Sequence, residues 1–274
     1  MTSCVLYSSP HSGREYPQDF LAATRLDALA IRSSEDAFVD RLFESVPKTG
    51  APLLLARYPR AYLDLNRSET DLDPALVLDA KGRNARNPRV EAGLGVIPRV
   101  VAEGQVIREG KIPLREALRR IAECHRPYHS RLASLMQTQR TLFGAAVLID
   151  CHSMPHAALA TAPRVHGVKP DVVLGDRFGA SSDRWISDAV AEYFREAGFT
   201  VARNAPFAGG YITQTYGRPA RGLHAVQIEI DRSLYMDEAK IIPNTQFAEV
   251  QARLNTVIAR ISRIGPIAQQ LAAE

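Results

Sequence analysis

Ala145-Ala146-Val147-Leu148-Ile149-Asp150-Cys151-His152-Ser153-Met154-Pro155 is the stretch on which the fold turns. Its first five residues are apolar without alternation, which is the pattern of a strand covered on both faces. The spacing predicts a strand over 145–149 that ends on Asp150 and delivers Asp, Cys and His straight into a turn. Shorter runs of the same kind flank it. Val5-Leu6-Tyr7 stops at Ser8-Ser9-Pro10, and 52–56 and 199–202 are further aliphatic segments. Val172-Val173-Leu174 ends on Gly175-Asp176, and 226–230 follows Gly222. Amphipathic stretches separate these runs, so the expected class is a layered α/β fold with much of its sheet parallel.

The helices are readable from their ends and periods. Ser181-Ser182-Asp183 supplies N-caps for a helix running to about Ala197 and closed by Gly198. Leu114, Leu118, Ile121, His125, Tyr128, Leu132 and Leu135 recur at three- and four-residue steps, one apolar face of a long helix. Pro127 is expected to kink or split it. A last helix is expected over 244–261. Residues 68–110, rich in Gly, Pro, Asn, Asp and Arg, form the least regular stretch, and a loop of that length is usually functional or a lid. No linker divides the chain, so a single domain over 1–274 is expected.

With 274 residues the chain can bury a substantial core without a disulfide or a structural metal. An apolar fraction of 46% with 23% charged residues excludes disordered, collagenous and coiled-coil classes. Cys4, Cys124 and Cys151 make no CxxC and no even framework, as in a reducing compartment. The N-terminus has no signal-peptide pattern, and no apolar run nears the ~18 residues of a membrane span. A cytoplasmic protein with no membrane partner is expected. The net charge of +4 comes from 29 Arg and 5 Lys against 30 acidic residues. The arginines are scattered, whereas a nucleic-acid binder concentrates them in a patch. No nucleic-acid partner is expected. Their planar fork suits carboxylates and phosphates instead.

Polar residues cluster just after three apolar runs, where ligands sit in open α/β sheets. In Ser9-Pro10-His11-Ser12-Gly13-Arg14-Glu15, His11 is expected in a turn with its ring exposed at the sheet edge. His152 is presented in the same way. Two histidines at strand ends plus a carboxylate make a catalytic zinc site with a position open for water. Glu15, Glu35 and Asp36 are the candidate carboxylates, and the pattern does not choose among them. In His224-Ala225-Val226-Gln227-Ile228-Glu229-Ile230-Asp231-Arg232, alternation puts Ala225, Gln227, Glu229 and Asp231 on one face. A glutamate in so apolar a strand is either paired with a buried arginine or a general base beside a metal-bound water.

Asp64-Leu65-Asn66-Arg67 is the candidate anion site, because an Asn-Arg pair gives amide and guanidinium donors to one carboxylate. Arg57 and Arg60 lie nearby. The double glycine in Asn204-Ala205-Pro206-Phe207-Ala208-Gly209-Gly210-Tyr211 lets backbone approach a ligand closely. His125 and His129, at i and i+4, form a competing metal pair, but Arg126 stands where a zinc protease has Glu. Packing or support of a site is the better reading for them. His156 and His166 have no partner pattern. Dinucleotide and triphosphate loops and the GxSxG elbow are absent. Cys151 beside His152 does not make a nucleophile–base pair by adjacency.

Taken together and in order, these segments resemble the N-formylglutamate amidohydrolase family. The resemblance rests on Ser-Pro-His-Ser-Gly-Arg at 9–14, Glu35-Asp36 before Phe38-Val39-Asp40-Arg41-Leu42, and Asp64-Leu65-Asn66-Arg67. It continues through Pro127-Tyr128-His129, Asp150 to Pro155 and Asn204 to Gly210, and ends in Gln227 to Met236. It implies a zinc-peptidase-like (phosphorylase/hydrolase-like) three-layer α/β/α fold around a mixed, largely parallel sheet. It implies hydrolysis of the formyl or acyl amide of an acidic amino acid such as N-formyl-L-glutamate, to formate and glutamate, and a place in histidine catabolism. It assigns His11, Asp36 and His152 to Zn2+ or another divalent metal and Glu229 to the base. Asn66 and Arg67, with Arg57, would hold a substrate carboxylate, under a loop carrying Gly209 and Gly210. A related metal amidase acting on another acyl amino acid or a peptidoglycan fragment would use the same ligands. The sequence gives no oligomeric state.

Overall fold

The computed structural model describes residues 2–80 and 87–265. In chain order the strands are β1 (Val5–Ser9), β2 (Leu53–Leu55), β3 (Ala146–Met154), β4 (Val172–Gly175), β5 (Val201–Arg203), β6 (Leu223–Asp231), β7 (Met236–Asp237) and β8 (Ile242–Pro243). The α-helices are α1 (Gln18–Ala23), α2 (Val39–Leu42), α3 (Pro88–Glu91), α4 (Leu114–Arg120), α5 (Arg126–Phe143), α6 (Arg184–Glu196), α7 (Tyr211–Tyr216) and α8 (Phe247–Ile261). None is long and apolar enough to cross a membrane. The described residues gather into two compact units, those of Met1–Ser9, Phe38–Leu54 and Leu132–Glu274 in one, those of Pro10–Ala37 and Leu55–Arg131 in the other.

The first unit is built on a six-stranded sheet of order β2-β1-β3-β6-β4-β5. β1, β3 and β6 run parallel to one another, β4 is antiparallel to β6, and β5 is parallel to β4. This is the mixed, largely parallel α/β sheet that the apolar runs predict. All nine residues of β3 are buried. The strand is longer than expected: it continues through Asp150, Cys151, His152 and Ser153 to Met154, so His152 lies within the strand and not in a turn. The physical reason is β6, which pairs with β3 residue by residue out to Met154↔Asp231.

Alternation then sorts the two faces. Tyr7 and Cys151 point one way, and the Tyr7 hydroxyl donates to Ile258 O of α8 at 3.3 Å. That face is closed by α8, whose Val250, Leu254, Val257, Ile258 and Ile261 are buried. Ser8, Asp150 and His152 point the other way, beside Gln227 and Glu229 of β6. The helix over 184–196 starts after Asp183 and is followed by Gly198 at φ +83°, as its caps predict.

The second unit has little regular structure. Its long helix runs through α4 and a π turn over Ile121–His125 to α5. Pro127 neither breaks nor splits it. The π turn immediately ahead, with Arg126 N–H bonded to Ile121 O, shifts the bonding pattern where proline has no N–H to give. The 68–110 stretch is irregular but well packed: Leu72, Leu76, Val77, Val96, Ile97 and Ile107 are all buried. Residues 81–86 of it lie outside the described residues.

Candidate metal centre

His11 follows β1 by two residues. It is 1% exposed, so the expectation of a ring open at the sheet edge is corrected. β1 is an interior strand of its sheet, and the imidazole is covered by carboxylates far away in sequence. Nδ1 lies 3.4 Å from Asp36 Oδ2, and Nε2 donates to Asp64 Oδ1 at 2.8 Å. A backbone bond from Asp36 N–H to His11 O, 3.0 Å, fixes the two segments together. Gly13 makes this path possible, since a Cβ there would run into the Tyr58 carbonyl.

Of the three candidate carboxylates, Asp36 is the one that faces His11. Glu35 is buried in a different environment, taking the Arg32 guanidinium and the Tyr16 hydroxyl. Glu15 is exposed and paired with Arg57 at 2.6 Å. Arg57 is thus a surface residue, two-thirds exposed, and not part of a buried anion site.

His152 Nε2 donates to Asp150 Oδ2 at 3.0 Å, and the other Asp150 oxygen takes the Ser8 hydroxyl at 2.6 Å. His11, Asp36 and His152 each offer a ligand atom, and these atoms all lie within 4.8 Å of one another, with all three residues buried. Both imidazoles therefore have Nε2 on a buried carboxylate. That second hydrogen bond, which fixes tautomer and ring orientation, is the habitual accompaniment of metal-binding histidine. Two imidazoles and one carboxylate fit a zinc-type divalent ion with an open position. Sequence reasoning missed the orienting roles of Asp64 and Asp150. The signal was there in part, as Asp150 stands two residues before His152 on the same strand face.

Burial pushes the Asp64 carboxyl up, but the charges of Arg60, His11 and Arg67 and the bond from His11 outweigh it and hold it well below the usual carboxylate range. Arg60 is committed to this carboxylate at 2.9 Å. Three consecutive carbonyls after Asp64 are each held by a side-chain donor. His129 Nε2 donates to Leu65 O at 2.9 Å, Arg67 Nη1 to Asn66 O at 2.9 Å, and His125 Nε2 to Arg67 O at 2.8 Å. The two imidazoles stack with centroids 4.2 Å apart. Each Nε2 carries its hydrogen in these bonds, so this pair braces the 65–67 backbone and does not present those nitrogens to a metal. Arg67 also gives Nε to Leu94 O at 2.9 Å, and neither bond uses Nη2.

On β6, Glu229 is the direct partner of His152 across the ladder. Gln227 Nε2 donates to Glu229 Oε1 at 2.8 Å. Gly209, at φ +122°, stands before Gly210, whose carbonyl takes the Thr213 hydroxyl at 2.9 Å. His156 is tied to Asp231 at 2.7 Å. Cys151 points to the α8 face, and burial pushes its thiol well above the ordinary range, which suits packing and not nucleophilic attack. The described cysteines are free thiols.

The fold and this site define an α/β protein with a buried His-Asp-His group able to hold a metal ion. The family model for N-formylglutamate amidohydrolase matches residues 3–236, and the chain belongs to that family. It is 31% identical over 243 residues to the N-formylglutamate deformylase of Pseudomonas putida, covering 86% of this chain and 83% of that protein. It is 32% identical over 241 residues to the N-formylglutamate deformylase of Pseudomonas aeruginosa, covering 85% and 82%. Among solved structures, the N-formylglutamate amidohydrolase of Ralstonia eutropha JMP134 superposes with a TM-score of 0.88 at 36% identity, over 95% of this chain and 93% of that one. A gene product of Agrobacterium tumefaciens shares the fold at a TM-score of 0.65 and 18% identity, over 100% and 93%.

Proposed function

We propose that this amidohydrolase is a metal-dependent deformylase that hydrolyses N-formyl-L-glutamate, or a similar N-acyl acidic amino acid, to formate and L-glutamate. The observation that carries the reading is the buried group His11, Asp36 and His152, with each imidazole turned by its own buried carboxylate. The family and the deformylase relatives support the substrate class. A divalent ion held by these three residues, zinc by its donor set, would supply an acidified water and a polarised carbonyl.

The chain's own residues do the rest. Glu229 takes the proton of the attacking water and hands it to the departing amine nitrogen. Asn66 and Arg67 hold a substrate carboxylate, which fixes the amide in position for attack. The loop over 204–211, hinged on Gly209 and Gly210, shields the bound amide from bulk water. The whole chain acts as one catalytic domain in the cytoplasm, and its partner is a small acidic molecule. The test is a substrate panel on metal-loaded protein, with formate and free amine measured together. Release of formate from N-formylglutamate, with little from formylated neutral amino acids, is expected. Preference for neutral acyl amides or cell-wall fragments would replace the substrate assignment.

A further inference from the structure

Gln227 and Glu229 stand two residues apart on β6 and so share a face of the sheet. The Gln227 amide gives Nε2 to Glu229 Oε1 at 2.8 Å. Its Oε1 is buried and has no hydrogen-bond partner among the described residues, in a side chain only 4% exposed. Turning the amide over does not cure this. It would press Oε1 against a carboxylate oxygen and orphan the NH2 group instead. A buried acceptor held in this way can take a donor that arrives with a ligand.

The surroundings show which ligand atom that is. In the sheet Gln227 lies between Asp150 of β3 and Gly175 of β4. Both Asp150 oxygens are already engaged, by Ser8 and His152. At Gly175 a Cβ would sit 2.7 Å from the Ala208 carbonyl carbon and the Gly209 nitrogen, so the 204–211 backbone rests directly beside Gln227. The orphan acceptor therefore lies next to the proposed base, on the face that carries His152, and under the glycine loop.

We infer that Gln227 is a specificity-determining residue: its NH2 group fixes Glu229, and its Oε1 accepts the N–H of the scissile secondary amide. This rests on the amide-hydrolysis reading above. A formyl amide of a primary amino acid carries one N–H, whereas an ester or an N-alkyl amide carries none. A site built to hydrogen-bond an N–H rejects analogues that lack it, because its buried acceptor stays unpaired. The same side chain would hold the amide nitrogen close to Glu229, which delivers the proton to that nitrogen as the C–N bond breaks.

The experiment compares kcat/KM for N-formylglutamate and N-formyl-N-methylglutamate in metal-loaded wild type, Gln227→Met and Gln227→Glu. Wild type should prefer the N–H substrate by about 100-fold or more, and Gln227→Met should shrink that preference to less than about 10-fold. Gln227→Glu keeps an acceptor oxygen, so it should keep the preference while losing rate to carboxylate repulsion with Glu229. Equal loss on both substrates in Gln227→Met, with the preference intact, overturns the inference in favour of a purely supporting role. If Gln227→Met does not fold, a wild-type preference under about 10-fold, or its disappearance in Gln227→Glu, overturns it. Wild type that cleaves no N-formyl amide removes the amide reading and this inference with it. Cleavage with the preference unmoved removes this inference alone.

Discussion

His152 and Glu229 face each other across the β3–β6 ladder. Side chains at directly paired positions on neighbouring strands project to the same side, with backbones about 4.8 Å apart. The sheet itself therefore sets the spacing between a candidate ligand and a candidate base, and no loop has to order first. Glu229→Gln keeps the side chain's volume and its contact with Gln227 while removing the proton acceptor. It should lower kcat by about 10²–10⁴-fold with metal content and melting temperature unchanged. A variant that retains near-wild-type turnover would remove Glu229 from the base role.

Asp64 and Asp150 are expected to act through the histidines they orient. Asp64→Asn and Asp150→Asn should each weaken metal affinity by about 10–100-fold, read by competition with a chelator of known affinity. His11→Ala should abolish binding altogether. If either Asn variant holds its metal as tightly as wild type, the hydrogen bond to the imidazole at that position has only a structural part. Asp64→Asn also carries a stability cost, because it leaves Arg60 and the buried Arg67 without their common counter-charge.

The parts of this site that were legible in sequence are those encoded locally. Apolar runs located every strand of the large sheet, and residues clustered behind them located His11 and His152. The length of β3 was not legible, because Asp150-Cys151-His152-Ser153 reads as a turn until β6 is seen beside it. There polar residues of both strands share a face, with His152 bonded to Asp150 along β3 and Gln227 bonded to Glu229 along β6. The burial of His11 was hidden for a similar reason: its cover comes from Asp36 and Asp64, 25 and 53 positions away. Arg57 looked suited to a substrate by proximity to Asn66 in sequence, yet Glu15 draws it to the surface. Pro127 shows a local rule yielding to context, since the π turn before it keeps the helix intact.

Arg67 is built into the 64–67 segment through Leu94 O and Asn66 O, and burial lowers its pKa while Asp64 partly restores it. Arg67→Ala should raise KM for N-formylglutamate by about 100-fold and leave KM for a formylated neutral amino acid within about threefold. Arg67→Lys should not rescue, because an ammonium does not reproduce the two-pronged hold of the guanidinium. Parallel losses on acidic and neutral substrates would mean that Arg67 shapes the segment without touching a carboxylate.

His125, stacked on His129, gives a pH signature. Burial pushes His125 down from its ordinary value near 6.5, only partly opposed by its bond to Arg67 O and by Glu69 and Asp64. The folded protein thus holds this imidazole neutral where the unfolded chain would protonate it. Its contribution to stability is complete above about pH 6.5 and declines as the pH falls toward the lower folded value. His125→Gln places an amide N–H where Nε2 was and does not titrate. The melting-temperature difference, wild type minus His125→Gln, should therefore shrink as the pH drops from 8 to about 5. His125→Leu loses the donor as well and should raise KM for acidic substrates, whereas the Gln variant should recover most of that loss. A difference that stays constant with pH would show that His125 is equally protonated in the folded and unfolded states. Failure of the Gln variant to recover KM would show that its hold on Arg67 O does not position the carboxylate site.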